Sequence, residues 1–209
     1  MLRNLLWALL GAPLLVLLAG CCGNTACDCQ DLLADSLYFT FPLDKAKFPN
    51  AFSYNEISNV YLARYDTTKL TVSRDSLPLP RNTRTAKSLR AHLASSFNVD
   101  TTGLLIISNN APFTVTSSTS NLSRFVYRLY VPQDSAGTFR KHTFTTFVID
   151  RIKLNGRYQA DGCCTCYLNL QKLARVRGGS RYPSPGSTLN VTEEGSGSER
   201  VPKVIPLTK

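Results

Sequence analysis

The chain has 209 residues, a formal net charge of +10, 43% hydrophobic residues and only 18% charged ones. That is enough apolar material for one domain with a real core, and it excludes a charge-rich disordered chain. A pI near 9.4 favours contact with anionic lipid, lipopolysaccharide or polysaccharide.

Residues 1–20 fall into three zones: a start carrying Arg3, an apolar run over residues 5–18 broken only by Gly11 and Pro13, and the small residues Ala19 and Gly20 before Cys21. A charged start, a short apolar run and a small-residue exit make a secretory signal. The run is too short to span a bilayer core, which needs about 20 apolar residues. Leu18, Ala19, Gly20 and Cys21 resemble the lipobox of bacterial lipoproteins. That resemblance implies diacylglycerol on the Cys21 thiol, cleavage before it, and acylation of the new amine. Several acyl chains on one residue hold a protein stably on a membrane. Exported proteins do not normally meet nucleic acid, so no nucleic-acid partner is expected.

Residues 21–35 read as a leader of small residues holding Cys22, Cys27 and Cys29. A β-domain is expected over residues 36–177. Residues 36–41 (SLYFTF) form its first strand, ended by Pro42, and residues 55–65 a second with a bulge. Residues 66–83, with Pro78 and Pro80, read as a loop or edge strand. Residues 85–97 are the helix candidate, because Ala86, Leu89, Leu93 and Phe97 recur at helical spacing. Residues 103–108 are apolar enough for a fully buried strand, and residues 113–116 and 125–131 alternate as half-buried ones. Residues 143–154 run into Asn155 and Gly156, a strong hairpin-turn pair, and residues 163–176 return. The expected fold is mainly β: an immunoglobulin-like β-sandwich of about seven strands with at most one short helix. Residues 178–209 turn rich in Gly, Ser and Pro and read as a C-terminal tail, with an edge strand over residues 203–207 as the alternative.

Catalytic motifs are missing. His92 and His142 lie in unrelated settings, outside any HExxH or HxH arrangement, so they predict no metal site. No GxSxG elbow and no phosphate-binding glycine loop occurs, and carboxylates such as Asp44, Glu56 and Asp150 are scattered singly. No enzyme activity and no cofactor are expected. One cationic cluster stands out: Arg81, Arg84, Lys87 and Arg90 recur every third residue. On a helix they share about half the cylinder, either as a solvated face or as a surface leaning on anionic headgroups.

Six cysteines remain once Cys21 carries lipid: Cys22, Cys27 and Cys29 in the leader, and Cys163, Cys164 and Cys166 later. An even number in an exported chain suggests disulfides. In extended segments Cys27 and Cys29 share one face, as do Cys164 and Cys166. A leader lying antiparallel to the second group sets Cys27 against Cys166 and Cys29 against Cys164, leaving Cys163 for Cys22. The competing reading is a thiolate metal site, since CxC and CCxC chelate soft metals.

The stretches FSYNEISNVYLARYD, SNNAPF and CCTCY resemble uncharacterised cysteine-rich lipoproteins of Bacteroidota, a group that supplies no known activity. The lipoprotein resemblance, with Cys22 rather than Asp after the modified cysteine and no acidic run, implies the outer membrane facing the periplasm. The chain is therefore expected to be a lipid-anchored envelope module. It binds an envelope protein or glycan or serves as structure, with a thiol or metal-binding protein as the alternative.

Overall fold

The computed structural model describes residues 34–58, 60–78, 91, 94–95, 103–109, 111–113, 121–133, 144–161, 164–179, 182–194 and 200–209. Among them the chain is mainly β, a sandwich of two sheets. The smaller sheet has the order β4-β1-β9, from β1 (Leu37–Thr40), β4 (Leu104–Ile107) and β9 (Val204–Pro206). The larger has the order β3-β2-β5-β6-β7-β8. Its strands are β2 (Tyr61–Asp66), β3 (Lys69–Pro78), β5 (Phe125–Pro132), β6 (Phe144–Asp161), β7 (Cys164–Gly178) and β8 (Tyr182–Asn190). Every neighbour in it is antiparallel.

The alternation of each strand decides which face turns inward. Leu37 and Phe39 of β1, opposite Ile107 and Leu105 of β4, present the small sheet to the core. The large sheet answers with Leu62, then Phe125, Tyr127, Leu129 and Val131, then Phe147 and Ile149, then Ala174 and Val176. These side chains form one buried cluster, and Phe39, Leu62, Leu129, Phe147 and Ile149 have no exposed area. β1 pairs antiparallel with β4 but parallel with β9, where Phe39 stands opposite Ile205.

Three segments depart from the sequence reading. Residues 54–58 form a helical turn, α1 (Tyr54–Ser58), not the start of a strand. The Glu56 carboxylate accepts from the Ser53 backbone amide at 2.7 Å while Ser53 Oγ accepts from the Glu56 amide at 3.3 Å. This reciprocal box satisfies two amides that a helix start leaves orphaned. Asn155 and Gly156 do not turn the chain: β6 continues through them, with a register shift between them, until Asp161 stands opposite Cys164. Gly156 is needed there because a Cβ would come within 2.9 Å of the Leu168 carbonyl oxygen and onto the Tyr167 hydroxyl. Phe113 is buried and lies in a bend, while the rest of the strand expected over residues 113–116 falls outside the described residues. The tail expected from residue 178 is also corrected, since β8 extends the large sheet and β9 the small one. Val191, Ile205 and Leu207 are core residues. Residues 66–83 do contain an edge strand, β3. Of the helix expected at residues 85–97, Ala91, Ala94 and Ser95 are described; they are helical and exposed.

Candidate binding face

The inward alternation of β5 turns Val126, Arg128 and Tyr130 to the outer face of the large sheet. Register carries the same face across to Tyr61, Ala63 and Tyr65 of β2 and to Phe144, Thr146 and Val148 of β6. A solvated sheet face is ordinarily polar. This one carries aromatic rings. Tyr130 lies 6.4 Å from Tyr61 and 6.3 Å from Phe144, centroid to centroid, so the three make a continuous strip. Its ends are open: Tyr61 is 38% exposed and Phe144 47%. Tyr65 joins from the side, its hydroxyl 3.5 Å from that of Tyr130 and its ring 4.7 Å beneath the Arg128 guanidinium. The hydrogen bond to Tyr130, with partial burial, raises the Tyr65 pKa above its ordinary value, so this phenol is a neutral hydrogen-bonding tip at physiological pH.

Beside the strip, β7 adds Arg175 and Arg177, which converge on Asp150. Arg175 donates through two nitrogens, at 2.6 and 2.8 Å, and Arg177 through one terminal nitrogen at 2.5 Å. Burial would raise the Asp150 pKa, but these guanidiniums outweigh it and hold the carboxyl below its usual value. Asp150 is thus a fixed anion that orients both arginines. Among the described residues Arg177 Nε has no hydrogen-bond partner. A glycine is required next to it, because a Cβ on Gly186 would run into the Arg177 side chain. Arg128, Tyr130, Leu70 and Arg177 wall a shallow groove of about 290 Å³ floored by Val126, Thr146 and Val148.

A second polar cluster lies inside the molecule. Asp35 accepts from Asn109 at 2.6 Å and from Asn169 at 2.8 Å, and Asn169 Nδ2 also donates to the Ala34 carbonyl. Lys172 donates to the Ser36 carbonyl at 2.9 Å and pairs with Glu193, while Arg200 donates to the Asn169 carbonyl at 2.6 Å. Lys172 has no exposed area, and burial lowers its pKa despite the Glu193 charge beside it. A substrate has no way to a fully covered ammonium, so this cluster fastens the end of the leader, β7 and the segment after β8 together. Residues 34 to 36 meet residues 169 to 172 in ascending order. The cysteine-bearing part of the leader, expected to lie antiparallel to residues 163–166, falls outside the described residues.

Cys164 and Cys166, at the start of β7, are both disulfide-bonded. Cys21, Cys22, Cys27, Cys29 and Cys163 lie outside the described residues, as do Arg81, Arg84, Lys87, Arg90, His92 and His142. Among the described residues no three His, Cys, Asp or Glu side chains gather as a metal site requires, and no helix is long and apolar enough to cross a membrane. The sequence reading missed the outer face, although its signal was present. The outward positions of β5 are Val126, Arg128 and Tyr130, where a merely solvated strand would carry small polar residues.

No protein-family model matches the chain, and no curated protein and no solved structure matches it.

Proposed function

We propose that this chain is a lipid-anchored cell-envelope binding module without enzymatic activity, held on the outer membrane through Cys21. The aromatic and arginine-lined outer face of its large sheet receives an envelope partner. The observation that carries this reading is the exposed strip of Tyr61, Tyr130 and Phe144 beside the groove of Arg128 and Arg177. Rings and arginines are the side chains that dominate recognition energetics, and here they stand on rigid strands. The lipobox of Leu18, Ala19, Gly20 and Cys21 supports the anchor. The thiol or metal alternative is weakened at Cys164 and Cys166, which as half-cystines offer no thiolate to a metal.

Two measurements test the reading. Radiolabelled fatty acid should enter the protein in cells, and Cys21→Ala should abolish the label and leave an uncleaved precursor. For the face, a photo-crosslinking phenylalanine analogue at Phe144 should give one discrete adduct in living cells, and the same probe at Leu170 of β7 should give none. Both side chains are comparably exposed, at 47% and 44%, so accessibility alone does not separate them. Equal labelling from both positions would remove the face from the proposal.

A further inference from the structure

We infer that the outer-face groove binds an anionic saccharide, with the carboxylate or phosphate of a sugar seated between Arg128 and Arg177 and the sugar ring lying on the aromatic strip. This rests on the binding reading above and names its ligand class.

Charge placement is the first argument. Arg128 stands opposite Val148, and Val148 stands opposite Arg177, so the two arginines flank one small residue in a single cross-strand row. Two strand spacings separate their Cα atoms by about 10 Å. Arg128 rests over Tyr65 on the β2 side and Arg177 against Asp150, and both side chains are long enough to swing over Val148 and close on one anion within that span. Arg175 and Arg177 share one carboxylate, Asp150, while Arg128 lies over the Tyr65 ring, which leaves the groove with excess positive charge that no described side chain on the face balances. Arg177 gives Asp150 one terminal nitrogen and keeps other donors of its planar fork, the geometry that suits carboxylate and phosphate.

Shape and surface chemistry then select a sugar among anions. The groove volume of about 290 Å³ lies near the lower end of small-molecule sites and holds one or two rings, not a folded partner. The rim formed by Tyr61, Tyr130 and Phe144 is aromatic, with two hydroxyl tips and with rings inclined 48° and 81° to one another. A pyranose offers the complement: a C–H face for the ring and hydroxyls for the tips. An acidic peptide fits less well. Extended peptides are ordinarily taken up at a sheet edge by unpaired backbone groups. Here β5 and β6 are interior strands paired on both sides where the groove lies, and only side chains point into it.

The test uses the full-length lipidated protein in detergent micelles and isothermal titration. The probes are an oligogalacturonate, its neutral methyl ester, a phosphorylated core oligosaccharide released from lipopolysaccharide, a poly-glutamate peptide and a single-stranded oligonucleotide. At least one of the two acidic oligosaccharides should bind, and whichever binds more tightly identifies carboxylate or phosphate as the natural anion. That binding should fall at least about tenfold in Arg177→Gln, as expected for one lost charge-assisted hydrogen bond. Arg128→Gln, which leaves the Asp150 ion pairs intact, should lose as much and guards against a folding defect in the first variant. The methyl ester should bind at least about tenfold more weakly than its parent acid. Equal binding of ester and acid, or tighter binding of poly-glutamate or the oligonucleotide, overturns the saccharide assignment. The binding face itself survives that result if Phe144→Ser still weakens whatever binds. If Phe144→Ser and Tyr61→Ser change nothing for any probe, the face falls too.

Discussion

Lys172→Met gives the sharpest check on how the two ends of the chain are held. Lys172 is completely buried, its ammonium pairs with Glu193, and it donates to the Ser36 carbonyl. Methionine keeps most of the stem volume, so packing changes little and electrostatics dominate. The variant leaves the Glu193 carboxylate, only 10% exposed, without its partner. Breaking a buried pair this way costs about 3–5 kcal/mol, which for a domain of this size lowers Tm by roughly 10 °C. Adding Glu193→Leu removes the orphaned charge. The double variant is then left chiefly with an unsatisfied Ser36 carbonyl, a cost of about 1–3 kcal/mol. The double should therefore be more stable than Lys172→Met alone by about 2 kcal/mol, read from thermal and urea denaturation followed by circular dichroism. A Lys172→Met variant within about 1 kcal/mol of wild type, or a double variant at the sum of the two singles, would refute the reasoning.

Other outcomes follow from particular contacts. Glu56 is buried; burial favours its protonated form, but Lys209 at 2.7 Å and the Ser53 bonds outweigh that and lower its pKa. A depressed carboxylate contributes stability above its unfolded pKa and loses it as pH falls through the folded value. Wild type should thus lose stability below pH 4.5 to a greater extent than Glu56→Gln, which starts less stable at neutral pH; parallel pH-stability curves for the two would contradict this. Ser53→Ala should cost about 1 kcal/mol, the usual worth of an N-cap, in the same denaturation assay. Gly156→Ala forces a methyl to 2.5 Å from the Tyr167 hydroxyl and 2.9 Å from the Leu168 carbonyl, and should cost about 1–3 kcal/mol; replacing Tyr167 by Phe as well relieves only the first clash. For the cysteines, Cys164 is disulfide-bonded, and the sequence reading pairs it with Cys29. Non-reducing peptide mapping should find that pair, and the absence of any peptide joining residues 22–29 to residues 163–166 would end the idea of a clasp between leader and domain.

The parts of the fold that were legible in the sequence are those where one period rules. β1 and β4 are short apolar runs with proline, glycine or asparagine at their ends, and β5 alternates cleanly, so burial alone specifies them. Illegible segments are those where a local signal competes with a tertiary one. Asn155 and Gly156 have the composition of a tight turn, yet the glycine serves the close approach of Tyr167, and the reversal comes between Asp161 and Cys164. Ser53 and Glu56 carry a capping box that the apolar pattern of Ile57, Val60 and Leu62 hid. The polar composition of residues 182–190 concealed β8, because an edge strand buries little of its own and is held by backbone bonds to β7. The binding face was hidden for a related reason. Its arginines and rings come from four strands distant in sequence, and only register brings them into rows.

The parallel pairing of β1 with β9 has a consequence for the order of assembly. Tyr38, Phe39 and Thr40 are among the earliest residues of the domain to be made, while Val204, Ile205 and Pro206 come long after them. The β6–β7 hairpin can close as soon as its two arms exist, since its strands are contiguous and a short loop costs little entropy. The small sheet cannot. Until β9 is available, β1 has β4 on one side and an open edge on the other, and Leu37 and Phe39 lack the cover of Ile205 and Leu207. A growing chain therefore stays unsealed, with an exposed strand edge, until β9 has been made. Such a chain can still be threaded through a narrow pore, and it is also the one most exposed to pairing with a neighbour if β9 is delayed or lost.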